Sequence, residues 1–127
     1  MDKETTRMLT SVQLKTFIPA KDYPLSQAFY TALGFTPGWQ SDEMSYFSNG
    51  EHCAFLLQNF YVKEQADNFV MHLLVDDVEA WWANVQKENL AERFGIRTTA
   101  PEDQPWGVRE FILFDPSGVL WRIGQEI

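Results

Sequence analysis

Two histidines, one cysteine and a run of carboxylates are the side chains of this 127-residue chain best suited to chemistry. His52 and Cys53 are adjacent, which suggests a thiol nucleophile with its base. Neighbours on a strand point to opposite faces, so the pair cannot form the hydrogen bond that such a nucleophile needs. Cys53 therefore reads as a small core residue, and His52, beside Gly50 at a hairpin end, as solvent-facing. Asp76, Asp77 and Glu79 could gather a cation. At the start of a helix, however, the same residues satisfy free backbone N–H groups and the macrodipole. His72 interrupts an apolar stretch and is open to three readings: a ligand contact, a metal ligand, or a hydrogen-bonded interior histidine. The glycine-rich phosphate loops, the H-E-x-x-H zinc motif and the G-x-S-x-G elbow are all missing.

Aromatic residues form the second group. Trp81 and Trp82 fall on a helical stripe and read as core. Trp121 and Arg122 alternate on the last strand, so if Arg122 faces a site then Trp121 packs beneath the helices. Trp39 follows Pro37-Gly38, and Trp106 lies between Pro105 and Gly107. Large aromatics on such loops make platforms for planar ligands. Phe47, Phe60, Tyr61 and Phe111 are supporting candidates. Pairing across the turn at 115–118 sets Phe111 opposite Arg122.

These residues need elements to position them. Ser11 to Ile18 alternates as a strand. Asp22 caps a helix whose stripe is Leu25, Ala28, Phe29, Ala32 and Leu33, stopped by Gly34. Strands follow near Phe35 to Gln40 and Met44 to Ser48. An Asn49-Gly50 type I′ turn leads to a return strand from His52 to Gln58. Tyr61 to Asn68 reads as a linker. The order then repeats: a strand from Phe69 to Val75, a helix capped at Asp76-Asp77 with the stripe Val78, Trp81, Trp82 and Val85, and a strand around Glu92 to Thr98. Strands from Val108 to Phe114 and Val119 to Gly124 close the chain. The repeat predicts one α+β domain over residues 1–127, built from two βαβββ modules, about 9–60 and about 68–127.

The composition sets limits on function. The chain is 45% apolar and 15% aromatic, which excludes intrinsic disorder. Its net charge of -8 disfavours nucleic acid and anionic membrane and favours cationic ligands. A single cysteine allows no intrachain disulfide and fits a reducing cytoplasm. No signal peptide or membrane-spanning run is expected.

The segment Asp22-Tyr-Pro-Leu-Ser26, followed by Phe29-Tyr30 and Leu33-Gly34-Phe35, resembles the first-helix signature of the vicinal oxygen chelate superfamily. Val75-Asp76-Asp77-Val78 resembles its second-half counterpart. Trp106-Gly107 with Asp115-Pro116-Ser117-Gly118 resembles its C-terminal signature. The resemblance spans Ser11 to Gln125. It implies sheets curled into a cup with helices on the outer face, and a homodimer. The superfamily includes glyoxalases, extradiol dioxygenases, fosfomycin-modifying enzymes and metal-free bleomycin resistance proteins. Carried over one by one, the enzymes' metal-ligand positions fall at Lys15, Leu56, Val70 and Arg122. None is a usual ligand, because a protonated amine or guanidinium has no lone pair to donate.

The expectation is therefore a metal-free, cofactor-free protein that sequesters a small aromatic or cationic molecule, similar in mode to the bleomycin resistance proteins. Its ligand-binding residues would be Lys15, Trp39, Phe47, Phe60, His72, Trp106, Phe111 and Arg122. The alternative is a metal-dependent glyoxalase- or dioxygenase-type enzyme with non-standard ligands, for example His72, Gln58 and Glu110.

Overall fold

The computed structural model describes residues 7–127. The first module comprises β1 (Thr16–Pro19), α1 (Tyr23–Leu33), β2 (Thr36–Gln40), β3 (Met44–Asn49) and β4 (Cys53–Gln58). The second comprises β5 (Val70–Leu74), α3 (Val78–Lys87), α4 (Leu90–Phe94), β6 (Glu102–Asp103), β7 (Val108–Phe114) and β8 (Leu120–Glu126). A short helix, α2 (Lys63–Asp67), joins them where the sequence suggested a plain linker. Each module carries one four-stranded sheet, ordered β1-β4-β3-β2 and β5-β8-β7-β6. The first strand of each runs parallel to the last, and the other pairs are antiparallel. These are the expected βαβββ modules.

The helix starts follow from their caps. The Asp22 carboxylate accepts from the Leu25 N–H at 3.2 Å, and Asp77 accepts from the Ala80 N–H at 3.2 Å. Asp77 is thus a cap, and Glu79 pairs with Arg109 at 2.7 Å, so these two acids are structural. Gly34 ends α1 at φ 126°, a conformation that favours glycine. The buried face of α1 is Tyr23, Ser26, Phe29, Tyr30 and Leu33. Leu25 and Ala28, expected in the stripe, are exposed. The stripe is rotated because Tyr30, not Ala28, fills the space between the sheets.

Three other expectations are corrected. The first strand begins at Thr16, not Ser11, and Val12 and Leu14 are 98% and 91% exposed. Pairing with β4 begins at Thr16 opposite Phe55 and stops short of Leu14, although β4 itself starts at Cys53. The hairpin after β3 closes through Gly50–His52, since Asn49 already pairs with Cys53. Only Gly50 of the Asn-Gly pair has positive φ, so the turn is not type I′. The strand expected near Glu92 to Thr98 is instead α4 followed by a lone bridge between Thr98 and Leu113. Leu90 and Phe94, four apart, place apolar groups on one helical face, and Phe94 meets Phe29 edge-on at 5.4 Å.

Both modules share one core. The Tyr30 ring lies 4.7 Å from Phe55 in the first sheet and 5.6 Å from Trp121 in the second. The Tyr30 hydroxyl donates to Asp115 at 2.5 Å and accepts from the Trp121 indole N–H at 2.9 Å. The other Asp115 oxygen accepts from the Ser117 and Val119 N–H groups, which shapes the turn before β8. Burial pushes the Asp115 carboxyl above the usual carboxylate range, against the pull of its hydrogen bonds. Burial also raises the Tyr30 hydroxyl well above its ordinary value, reinforced by the Asp115 charge.

Candidate functional site

Strand register separates two faces on each sheet. In the first sheet Phe47, Phe55 and Leu57 face the core, and Phe17, Tyr46 and Leu56, which lie side by side across β1, β3 and β4, face outward. In the second, Phe111, Leu113, Trp121 and Ile123 face the core, while Ile112, Arg122 and His72 align across the outer face. Rings from both covered faces meet directly, Phe55 lying 5.7 Å from Trp121. The two open faces therefore point away from each other. One chain presents two half-cups.

The residues expected at the site fall into three groups. Lys15, Arg122 and His72 lie on open faces, as expected. The Lys15 ammonium sits 5.8 Å from the centroid of the Tyr46 ring. His72 is exposed and faces Arg122 across the strands. Trp106, 60% exposed, lies with its ring centroid 5.8 Å from the Arg122 guanidinium and so covers the second open face. Trp39, 62% exposed, sits in the irregular stretch of β2, and Phe60 lies beyond β4 in the loop whose carbonyl binds the Ala20 N–H. Neither is brought together with the Arg122 cluster.

Phe47 and Phe111 are corrections. Both are buried in the common core, Phe47 stacked on Phe55 at 5.5 Å and Phe111 against Trp82 at 5.3 Å. Phe111 pairs with Ile123, and Ile112 is the residue opposite Arg122. The turn is one residue longer than the sequence suggested, because the Asp115 carboxylate draws Val119 into it. A slip of one residue reverses the face of every side chain.

Sequence reasoning named Glu110 only as a metal ligand of the alternative enzyme, and it missed Arg97, Glu102, Glu126, Gln13 and Tyr46 around the open faces. Glu110, only 4% exposed, accepts from Arg122 Nε at 3.1 Å and from its terminal nitrogen at 2.6 Å through the same oxygen. Arg97 lies 4.5 Å above the Phe114 ring, at the far end of the same sheet. Glu102, opposite Glu110, and Glu126, opposite Val108, add negative charge toward the other end. On the first sheet, Gln13 donates to the Tyr46 hydroxyl at 3.3 Å. Alternation within β3 could have found Tyr46, and the correct register of β7 would have set Glu110 on the face of Arg122.

The metal positions implied by the resemblance do not fit a divalent ion. Leu56 and Val70 offer no donor atom, Lys15 and Arg122 are cations, and Arg122 is tied to Glu110. The alternative set of His72, Gln58 and Glu110 does not converge, since Gln58 belongs to the other sheet. Among the described residues no three His, Cys, Asp or Glu side chains are grouped to hold a metal. No helix among the described residues is long and apolar enough to cross a membrane.

Two βαβββ modules, each with a covered and an open sheet face, define a duplicated scaffold of the vicinal oxygen chelate type. Residues 12–123 match the model of the glyoxalase/bleomycin resistance protein/dioxygenase superfamily, and the chain belongs to that family. No curated protein matches its sequence. Among solved structures, the chain is similar to a bleomycin resistance determinant encoded on the transposon Tn5, at 26% identity and TM-score 0.69 over 91% of this chain and 98% of that one. It is also similar to the bleomycin-binding protein of Streptomyces verticillus in complex with copper(II)-bleomycin, at 22% identity and TM-score 0.76 over 91% and 97% of the two chains. A lactoylglutathione lyase from Agrobacterium tumefaciens shares the fold at 18% identity and TM-score 0.66 over 92% and 95%.

Proposed function

We propose that the protein binds and sequesters a small planar aromatic molecule without metal and without turnover. The observation that carries this reading is the second open face, where an exposed indole is held over a guanidinium beside apolar Ile112, Leu120 and Leu74. Such a surface stacks on a flat ring. Of the two ligand chemistries that composition suggested, aromatic and cationic, the open faces favour the first. The Lys15 ammonium stands against the aromatic face of the first module, and the second face mixes both signs. The likeness to bleomycin-binding proteins supports a binding role, and the unfit donor set argues against the metal-dependent alternative.

The binding unit is a homodimer. Each chain offers two half-cups that face apart, with β1 and β5 at open sheet edges and Phe17, Val70 and Leu74 exposed beside them. A second copy related by a two-fold axis would close the first half-cup of one protomer with the second half-cup of its partner, giving two equivalent sites. The reading also carries the earlier expectation of a cytoplasmic protein that binds neither nucleic acid nor membrane.

Native mass spectrometry against a panel of planar aromatic antibiotics tests both parts. The expected result is a species of twice the 14.8 kDa chain mass that takes up two ligands. A monomer at micromolar concentration would overturn the dimer. About one metal ion per chain after exhaustive dialysis would overturn the metal-free mode.

A further inference from the structure

We infer that Glu110 is a positioning residue for the binding platform and acts on Trp106 through Arg122. The inference rests on the reading that the second open face is the binding surface, but its test does not require a ligand. Trp106 lies in the short connection between β6 and β7 and is 60% exposed. A side chain that exposed has little packing to select one orientation. Among the described residues the cation over its ring is Arg122, 5.8 Å from the ring centroid.

Arg122 is itself long, with 39% of its side chain exposed, and would sample many rotamers if left alone. Glu110 removes that freedom. One carboxylate oxygen accepts from both Nε and a terminal nitrogen, so the guanidinium plane is fixed at two points. Glu110 can do this because its own position is fixed. Its side chain is 4% exposed, and its strand pairs on both sides, with Glu102 in β6 and Gly124 in β8. Gly124 keeps the neighbouring space open, since a Cβ there would lie 3.2 Å from the Glu110 Cβ and 2.6 Å from Val108.

Rigidity thus passes outward from a buried carboxylate to a half-exposed guanidinium and then to an exposed indole. The carboxylate also offsets the charge of Arg122. The platform therefore meets a ligand as a stiff aromatic surface over a neutralised pair, not over a bare cation. Holding the ring before the ligand arrives lowers the ordering cost of binding.

The protein is labelled with 5-fluorotryptophan and observed by fluorine NMR, with the Trp106 resonance assigned through W106F. In Glu110→Gln the shape is kept and the charge lost, and in Arg122→Met the cation is removed. In both variants the Trp106 resonance is expected to move and narrow, by less in Glu110→Gln, while the other four tryptophan resonances keep their positions. Arg122→Lys, which retains a cation, should restore part of the shift. A Trp106 resonance unmoved in Glu110→Gln would overturn the inference, even where Arg122→Met moves it. So would a shift of all five resonances together, because that is the signature of a purely structural role. Binding of 2-naphthol, followed separately by calorimetry, should weaken about two- to fivefold in Arg122→Met. If 2-naphthol and the antibiotic panel do not bind the wild-type dimer while the Trp106 shift is as expected, the proposed function fails and the positioning role stands.

Discussion

Replacing Tyr30 by phenylalanine isolates the polar contact that joins the two modules. The substitution keeps the ring, which packs against Phe55, Phe35 and Trp121, and removes only the hydroxyl. That hydroxyl donates to Asp115 and accepts from the Trp121 indole. A hydrogen bond to a charged group contributes about 1.5–3 kcal/mol, and an unpaired buried donor costs about 1–3 kcal/mol. Both losses come from one oxygen, so about 3 kcal/mol of destabilisation is expected, or about 10 °C in melting temperature for a chain of this length. The cost should depend on pH in a defined direction. Burial raises the Asp115 carboxyl, so the folded state holds its proton more tightly than the unfolded state. This contribution to stability is fully present below the unfolded value and is lost as pH rises through the folded value. The Tyr30 hydroxyl pulls the carboxyl down, so its removal raises Asp115 further and enlarges the gain on acidification. Urea unfolding of both proteins at about pH 8 and about pH 4.5 should show the cost of Tyr30→Phe shrinking at the lower pH. A cost below about 0.5 kcal/mol, or one that grows on acidification, would refute the reasoning.

Trp106→Ala should weaken binding of an aromatic ligand about tenfold with little change in melting temperature, because the ring is exposed; a lowered melting temperature with unchanged affinity would make it a structural cap instead. Gly124→Ala should destabilise by about 1–3 kcal/mol, read by thermal unfolding, since the new methyl meets Val108 at 2.6 Å. Asn84→Ala removes two hydrogen bonds to the Ala32 and Leu33 carbonyls at the end of α1 and should cost about 1–2 kcal/mol in urea unfolding. Above about pH 10 the unfolded chain ionises Tyr30 first, so stability should fall with further alkalinisation in the wild type and less steeply in Tyr30→Phe.

Features set by local chemistry were legible in the sequence. Asp22 and Asp77 cap helices where an acceptor before an apolar stripe says they should. Trp121 faces inward and Arg122 outward, because alternation along one strand needs no knowledge of its neighbour. What failed depended on pairing. Phe111 was set on the wrong face because the turn length, fixed by the Asp115 side chain, is not visible in residue types. Val12 and Leu14 alternate as a strand does, but pairing with β4 starts only at Thr16, and both side chains stay exposed. The stretch expected as a strand near Glu92 became α4 through tertiary contact of Leu90 and Phe94. The separation of the two half-cups could not be read at all, since it follows from how the modules pack around Tyr30.

Net charge is a global quantity, and where it acts depends on pairing as well. The excess of carboxylates suggested an acidic site for a cation, yet many of the acids have structural duties elsewhere. Asp22 and Asp77 hold helix ends, Asp115 shapes a turn, and Glu79, Asp103, Asp67 and Glu88 pair with basic groups away from the Trp106 platform. The aromatic groups of the open faces carry cations instead, Lys15 over Tyr46, Arg122 over Trp106 and Arg97 over Phe114. Screening over about 8 Å at physiological salt makes these near charges weigh more than the distant acids for a bound ligand, while the overall charge still governs its approach. Under the proposed binding role, the charge preference of a ligand follows from which carboxylate reaches the platform. Here that carboxylate is Glu110, which accepts two hydrogen bonds from Arg122.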